Sequence, residues 1–127
     1  MRLAYVDTSF LLGIAFEEPG AARLISRLRR FDRLFSSNLL EAEFRSALAR
    51  EGISESGDDA LRHFTWVYPN RPLTPEFERV LSAGHVRGAD LWHLANALFL
   101  GHDSRELLFL TLDRRQQDVA VRLGFPV

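Results

Sequence analysis

An α/β domain with a short parallel sheet covered on both faces by helices is the fold class this sequence predicts, and three observations predict it. Short apolar runs alternate with stretches of helical periodicity along the whole chain. The most apolar run, Leu107 to Leu112, is bounded by polar flanks and has the unbroken hydrophobicity of a strand buried on both faces. The 127 residues, 46% hydrophobic and 26% charged, suit one compact domain spanning residues 1–127 with a real core.

In chain order, Arg2 to Val6 reads as a first strand, and Phe10, Leu11, Leu12, Ile14, Ala15 and Phe16 continue as a helix after Asp7-Thr8-Ser9. Asp7 and Thr8 can cap that helix, yet the tip of a first strand is also where open α/β sheets present binding groups. Glu17-Glu18-Pro19-Gly20 breaks the chain, with Pro19 suited to the first turn of a helix through Ala21, Ala22, Leu24, Ile25 and Leu28. Arg23, Arg27, Arg29, Arg30 and Arg33 read first as a solvated face, with an RNA-binding edge as the alternative. Leu34-Phe35-Ser36 is a second strand, and Ser37 or Asn38 can cap a helix from Leu39 to Arg50 that Gly52 ends. At 100° per residue, Glu43 shares the face of Leu39, Leu40 and Ala47, whereas Glu41 pairs outward with Arg45.

Ser54 to Asp59 is expected as a loop and cap before a helix through Ala60, Leu61, Phe64 and Val67, with Trp66 and Tyr68 near its end as core or partner-facing aromatics. Pro69 to Pro72 is a turn, Leu73-Thr74 a short strand, and Thr74-Pro75-Glu76 a helix start that Gly84 closes. Asp90 follows a Gly-Ala turn and opens a run in which Leu91, Leu94, Ala95, Ala97 and Leu98 recur at helical spacing as far as Gly101. A carboxylate there can cap the helix or bind something. Leu107 to Leu112 follows as the central strand, with Thr111 and Asp113 at its C-terminal end. Arg114 to Leu123 forms a last helix, and Phe125-Pro126-Val127 a final strand or tail.

Composition removes several chemistries. The absence of cysteine excludes disulfides and thiolate metal sites, and all sixteen basic residues are Arg, so neither a phosphate-loop lysine nor a Schiff base can exist. With no signal peptide and no long apolar run, the expectation is a cytoplasmic protein without membrane attachment. Setting aside Asp7, Glu43, Asp90 and Asp113, sixteen Arg face thirteen other acids, a mild bias toward a polyanionic partner.

Those four acids have one common explanation. Residues after parallel strands share a sheet edge, which places Asp7 and Asp113 there, and inward Glu43 and helix-opening Asp90 can reach the same crevice. An inward carboxylate needs a partner, either a buried Arg or a cation. Two unit charges 4 Å apart repel by about 1 kcal/mol in water and about 4 kcal/mol at an effective dielectric of 20, so clustered carboxylates call for a cation. Oxygen-only ligands select Mg2+ or Mn2+ over zinc. His93, one turn beyond Asp90, reads as packing or orientation rather than ligation. Acids around a hard cation, with no Cys or Ser-His-Asp nucleophile, point to metal-activated water attacking a phosphodiester. Thr8, Ser9 and Thr111 can support it, or can serve caps and turns.

Four stretches together resemble the motifs of PIN-domain nucleases, the VapC toxins in particular. They are Val6-Asp7-Thr8-Ser9-Phe10-Leu11-Leu12, Glu43-Phe44-Arg45-Ser46-Ala47-Leu48, Arg87-Gly88-Ala89-Asp90-Leu91-Trp92-His93-Leu94-Ala95 and Leu110-Thr111-Leu112-Asp113. The resemblance implies a three-layer α/β/α fold and a Mg2+- or Mn2+-dependent endoribonuclease, the toxin of a toxin–antitoxin pair. It also implies a homodimer bound by a cognate antitoxin near the active site. Asp7, Glu43, Asp90 and Asp113 match the acidic, metal-holding positions, and Thr8 and Thr111 the supporting ones; Glu41 and Asp118 match none. Trp92 stands where smaller residues are common and Asn96 where Thr is frequent. A PIN nuclease of RNA processing without an antitoxin, and an idle RNA-binding module, are the alternatives. A phospho-acceptor domain wants a lysine that this chain lacks.

Overall fold

In a computed structural model that describes residues 1–55, 57–101 and 106–127, four parallel strands lie in the order β3-β2-β1-β4. β1 (Leu3–Val6) pairs with β2 (Arg33–Ser37) on one side and β4 (Leu107–Leu110) on the other, and β2 pairs with β3 (Phe64–Val67). The helices are α1 (Thr8–Ala15), α2 (Ala21–Leu28), α3 (Asn38–Arg50), α4 (Asp58–Leu61), α5 (Thr74–Ala83), α6 (Gly88–Leu100) and α7 (Arg114–Arg122).

Side chains alternate along the strands and so feed two cores. Tyr5, Phe109 and Leu107 point to the face covered by α5, α6 and α7, where they meet Val80, Leu94, Val119 and Phe125. Ala4, Val6, Leu34 and Leu110 point to the other face, against Phe10 and Leu11 of α1 and Leu40, Phe44 and Leu48 of α3. The result is the expected three-layer α/β/α arrangement. Because every strand runs the same way, the strand ends that precede α1, α3 and α7 lie together at one edge of the sheet.

The structure departs from the sequence reading at four places. The helix expected through Val67 stops at Leu61; Phe64–Val67 instead extends the sheet as β3, with Phe64 and Val67 buried and Thr65 exposed. Aromatic and β-branched residues fit a half-buried ladder, and the free side of β2 supplies one. Within the loop expected over 54–59, Ser56 lies outside the described residues. Leu73-Thr74 forms no strand: Leu73 is the N-cap residue of α5 and is buried, and Thr74 is the first helical residue rather than its cap. Pro19 precedes α2, whose N-cap is Gly20 at φ +90°, a conformation that a side chain would strain. Of the two forms expected for Phe125-Pro126-Val127, strand or tail, the structure has the tail, in which Pro126 accepts a backbone hydrogen bond from Phe109 at 2.9 Å. Finally, α6 begins at Gly88 with Arg87 as its N-cap residue, so Asp90 sits inside the first turn and is not the cap. Among the described residues no helix is long and apolar enough to cross a membrane.

Candidate active site

β1 and β2 lead almost straight into α1 and α3, and β4 reaches α7 through Thr111-Leu112-Asp113, so polar residues stand at each of these junctions. Asp7, straight after β1, is 3% exposed. Its Oδ2 accepts from the Ser9 N–H at 3.2 Å, capping α1, and from the Ser9 hydroxyl at 2.7 Å. Thr111 Oγ1 lies 3.1 Å from the same oxygen. Asp113, two residues beyond Thr111, caps α7 by accepting from the Gln116 N–H at 2.8 Å. Capping and site-building are therefore compatible: a carboxylate has two oxygens, and the N-cap duty of Asp7 occupies only one of them.

Glu43 reaches the same place from the middle of α3. Its Oε1 accepts from the Thr8 hydroxyl at 2.7 Å and lies 3.2 Å from His93 Nε2. The hydrogen bond from His93, more than that from Thr8, holds the Glu43 carboxyl below its usual range against the opposing effect of burial. The inward turn of Glu43 expected from helical phase is thus present, and its partner is a histidine rather than a buried Arg. Asp90 approaches from the first turn of α6. Burial, followed by the charges of Asp7 and Asp113, pushes its carboxyl up to about 6.

All four acids line one cleft of about 380 Å³, with Thr8, Ser9, Ser46 and Arg50 completing its polar wall. The donor set is carboxylate and hydroxyl oxygen, the chemistry of a hard divalent cation, and burial together with the charges of Asp7 and Asp113 disfavours the ionised Asp90 carboxyl there. Among the described residues no three His, Asp or Glu side chains are already gathered at metal-binding spacing. Like charges do not close on one another unaided.

Thr111 also joins the cleft's support. Its hydroxyl lies 2.8 Å from Gln116 Oε1 and accepts from the Asp113 N–H at 3.0 Å. Gln116, fully buried, turns its Nε2 toward Asp7 Oδ1 at 3.4 Å and the Asp90 carbonyl at 3.5 Å. The sequence reading passed over Gln116, although Asp113-Arg114-Arg115-Gln116 has capping-box spacing. Only half of that box forms: Thr111 takes the Asp113 N–H, which frees the Gln116 amide to brace two of the acids. Tyr5 was read only as part of an apolar strand, yet its hydroxyl sits 2.9 Å from His93 Nδ1. Arg50, the last residue of α3, borders the cleft with only its neighbour Glu51 as an ion partner among the described residues.

Comparison with known proteins agrees with this fold. A family model for the PIN domain matches residues 4–122. The chain is also similar to a protein named Ribonuclease VapC46 from Mycobacterium tuberculosis, 33% identical over 129 residues that take in all of this chain and 97% of that protein. No solved structure gives a significant match. The matched span begins in β1 and ends with α7, so it contains every strand of the sheet and all four acids of its cleft: this chain belongs to the PIN domain family.

Proposed function

We propose that the chain is a divalent-metal-dependent endoribonuclease, the toxin of a toxin–antitoxin pair, that hydrolyses RNA phosphodiester bonds at the cleft of Asp7, Glu43, Asp90 and Asp113. The observation that carries the reading is the convergence of four carboxylates at one sheet edge, with Asp90 raised to about 6 by its burial and its acidic neighbours. Similarity to a ribonuclease over the whole chain supports RNA as the substrate.

The four acids would hold Mg2+ or Mn2+. Bound there, the cation supplies Lewis acidity that activates water and offsets the charge developing on the phosphate. Asp7 is kept rigid by Ser9, Thr111 and Gln116, so its ordering cost is met by the fold rather than at the moment of binding. Thr8 holds Glu43. Arg50 borders the cleft on one side, and on the other Arg87 and Arg115 border a second hollow that shares Asp90 and Asp113 with it. A strand of RNA laid across the acids thus meets guanidinium groups on both sides.

The remaining parts of the proposal concern assembly. The chain works as one domain, in the cytoplasm, as a homodimer blocked by an antitoxin. A protein partner is supported by α2, which buries none of its residues yet turns Ile25 and Leu28 toward a groove of about 560 Å³ shared with Leu11, Ile14, Phe31 and Phe64.

Purified protein incubated with a small-RNA pool tests the central claim. Cleavage is expected with Mg2+ or Mn2+, and none with EDTA or in Asp90→Asn. Cleavage indifferent to both would overturn the mechanism. A small neighbouring gene whose product binds the protein and stops cleavage separates a toxin from an RNA-processing nuclease. Metal binding without cleavage of any RNA would identify a binding module.

A further inference from the structure

Behind the acids runs a buried chain of hydrogen bonds with a single self-consistent direction. The Ser37 N–H donates to the Tyr5 oxygen at 3.0 Å, and that oxygen lies 2.9 Å from His93 Nδ1. On the far side of the imidazole, Nε2 lies 3.2 Å from both Thr8 Oγ1 and Glu43 Oε1. Tyr5 is fully buried and His93 is 1% exposed, so these protein groups are the partners that decide the arrangement.

A carboxylate only accepts, so Nε2 must carry a proton toward Glu43. Thr8 spends its own proton on Glu43 at 2.7 Å, which leaves its oxygen to accept from Nε2 as well. At the other end, the Ser37 amide already donates to the phenol oxygen, and His93 Nδ1, 2.9 Å away, is placed to accept the phenol proton. The opposite tautomer sets the Nε2 lone pair against the Glu43 carboxylate oxygen and takes the Nδ1 acceptor away from the phenol.

The consequence falls on Glu43. Asp7 and Asp113 are fixed by backbone N–H groups at helix starts, whereas Glu43 projects from the middle of α3 and only Thr8 and His93 hydrogen-bond its carboxylate among the described residues. We propose that Tyr5 and His93 are positioning residues: the phenol holds the imidazole so that its Nε2–H pins one oxygen of Glu43 and leaves the other free for the cation. The purpose assigned to this chain of bonds rests on the nuclease reading; its geometry does not.

Nitrogen NMR of the metal-free protein, labelled at histidine and with His93 identified by its loss in His93→Gln, reads the tautomer directly. The wild type is expected to show Nε2 protonated, and Tyr5→Phe to raise the share of the Nδ1–H tautomer. In the metal-loaded protein, Tyr5→Phe is expected to lower kcat about tenfold with KM for RNA within about twofold, since only the alignment of Glu43 changes. His93→Leu lowers kcat about a hundredfold, and His93→Gln, which keeps an N–H at the ε position, recovers at least about tenfold of that.

Nδ1–H with a bare Nε2 in the wild type overturns the inference. So does a Tyr5→Phe protein with unchanged tautomer and unchanged kcat, or a folded His93→Gln no better than a folded His93→Leu. If His93→Leu does not fold, the wild-type spectrum and Tyr5→Phe decide alone. A protein that cleaves no RNA yet shows Nε2–H, weakened in Tyr5→Phe, supports the positioning chain and overturns the nuclease reading instead.

Discussion

Replacing Asp90 by Asn keeps the shape of the side chain and removes its charge, and the structure gives both the sign and the size of the effect on stability. Burial first, then the charges of Asp7 and Asp113, raise the Asp90 carboxyl from 3.8 to about 6, with His93 pulling the other way. A shift of about two units corresponds to about 3 kcal/mol. Asp90 is only half-buried, so screening by solvent cuts this to about 1.5 kcal/mol, and its favourable place in the first turn of α6 offsets about 0.5 kcal/mol more. About 1 kcal/mol remains. The folded protein holds its Asp90 proton up to about pH 6 and the unfolded chain loses it near 3.8, so the associated stability is complete below about pH 4 and is lost as pH rises through 6. Asn does not titrate. The two proteins should therefore be equally stable near pH 4, and at pH 8 Asp90→Asn should exceed the wild type by about 1 kcal/mol, or about 3–5 °C in Tm for a chain of this length. Glu43, whose carboxyl is lowered, gives the opposite slope in both proteins, and only the part that depends on its coupling to Asp90, the smallest of the influences on the Asp90 carboxyl, survives in the difference. Urea unfolding followed by circular dichroism in EDTA from pH 4 to 8 measures it, and added Mg2+ should reverse the order by stabilising the wild type alone. A variant less stable at every pH, or a difference that does not change with pH, would refute the picture of Asp90 as an uncompensated member of the cluster.

Other perturbations reach other parts of the same machinery. Gln116→Leu leaves the Thr111 hydroxyl and Asp7 Oδ1 each short of a partner in a buried setting, and should lower stability by about 1–3 kcal/mol in chemical denaturation, with Mg2+ affinity by calorimetry falling as Asp7 loosens. Arg50→Ala should raise KM for RNA with little change in kcat and reduce the slope of log affinity against log salt by about 1; an unchanged slope would remove Arg50 from the RNA path. Asn96 is fully buried and donates to the Trp92 carbonyl at 2.9 Å, while its Oδ1 has no partner among the described residues. A threonine hydroxyl can make the same bond one turn back without the orphaned acceptor, so Asn96→Thr should stabilise the protein by about 1 kcal/mol, read as a higher urea midpoint at unchanged slope.

How far the sequence carries depends on whether a residue's partners are local. The four acids were legible because strand-to-helix junctions and helical phase are short-range properties: Asp7 and Asp113 follow apolar runs, and Glu43 falls on the buried face of α3 whatever the rest of the chain does. Whether each was a cap or a site group was not legible, because the two roles use different oxygens of the same carboxylate. Asp90 was resolved only by where α6 starts, two residues before it. Residues 64–67 were misread as helix because a run of four aromatic and β-branched residues has no decisive period, and its conformation is set by β2, which lies 30 residues away in register. The groups that hold the acids are the least legible of all. Gln116 matches a capping box and then abandons it, because Thr111 reaches the Asp113 amide first. Tyr5 meets His93 across 88 residues of sequence, through a pairing that exists only once the sheet and α6 are packed. A close physical reading of sequence therefore finds the charged groups that gather at the cleft sooner than it finds the neutral ones hydrogen-bonded behind them, since a buried carboxylate demands an explanation wherever it stands and a buried tyrosine in a strand does not.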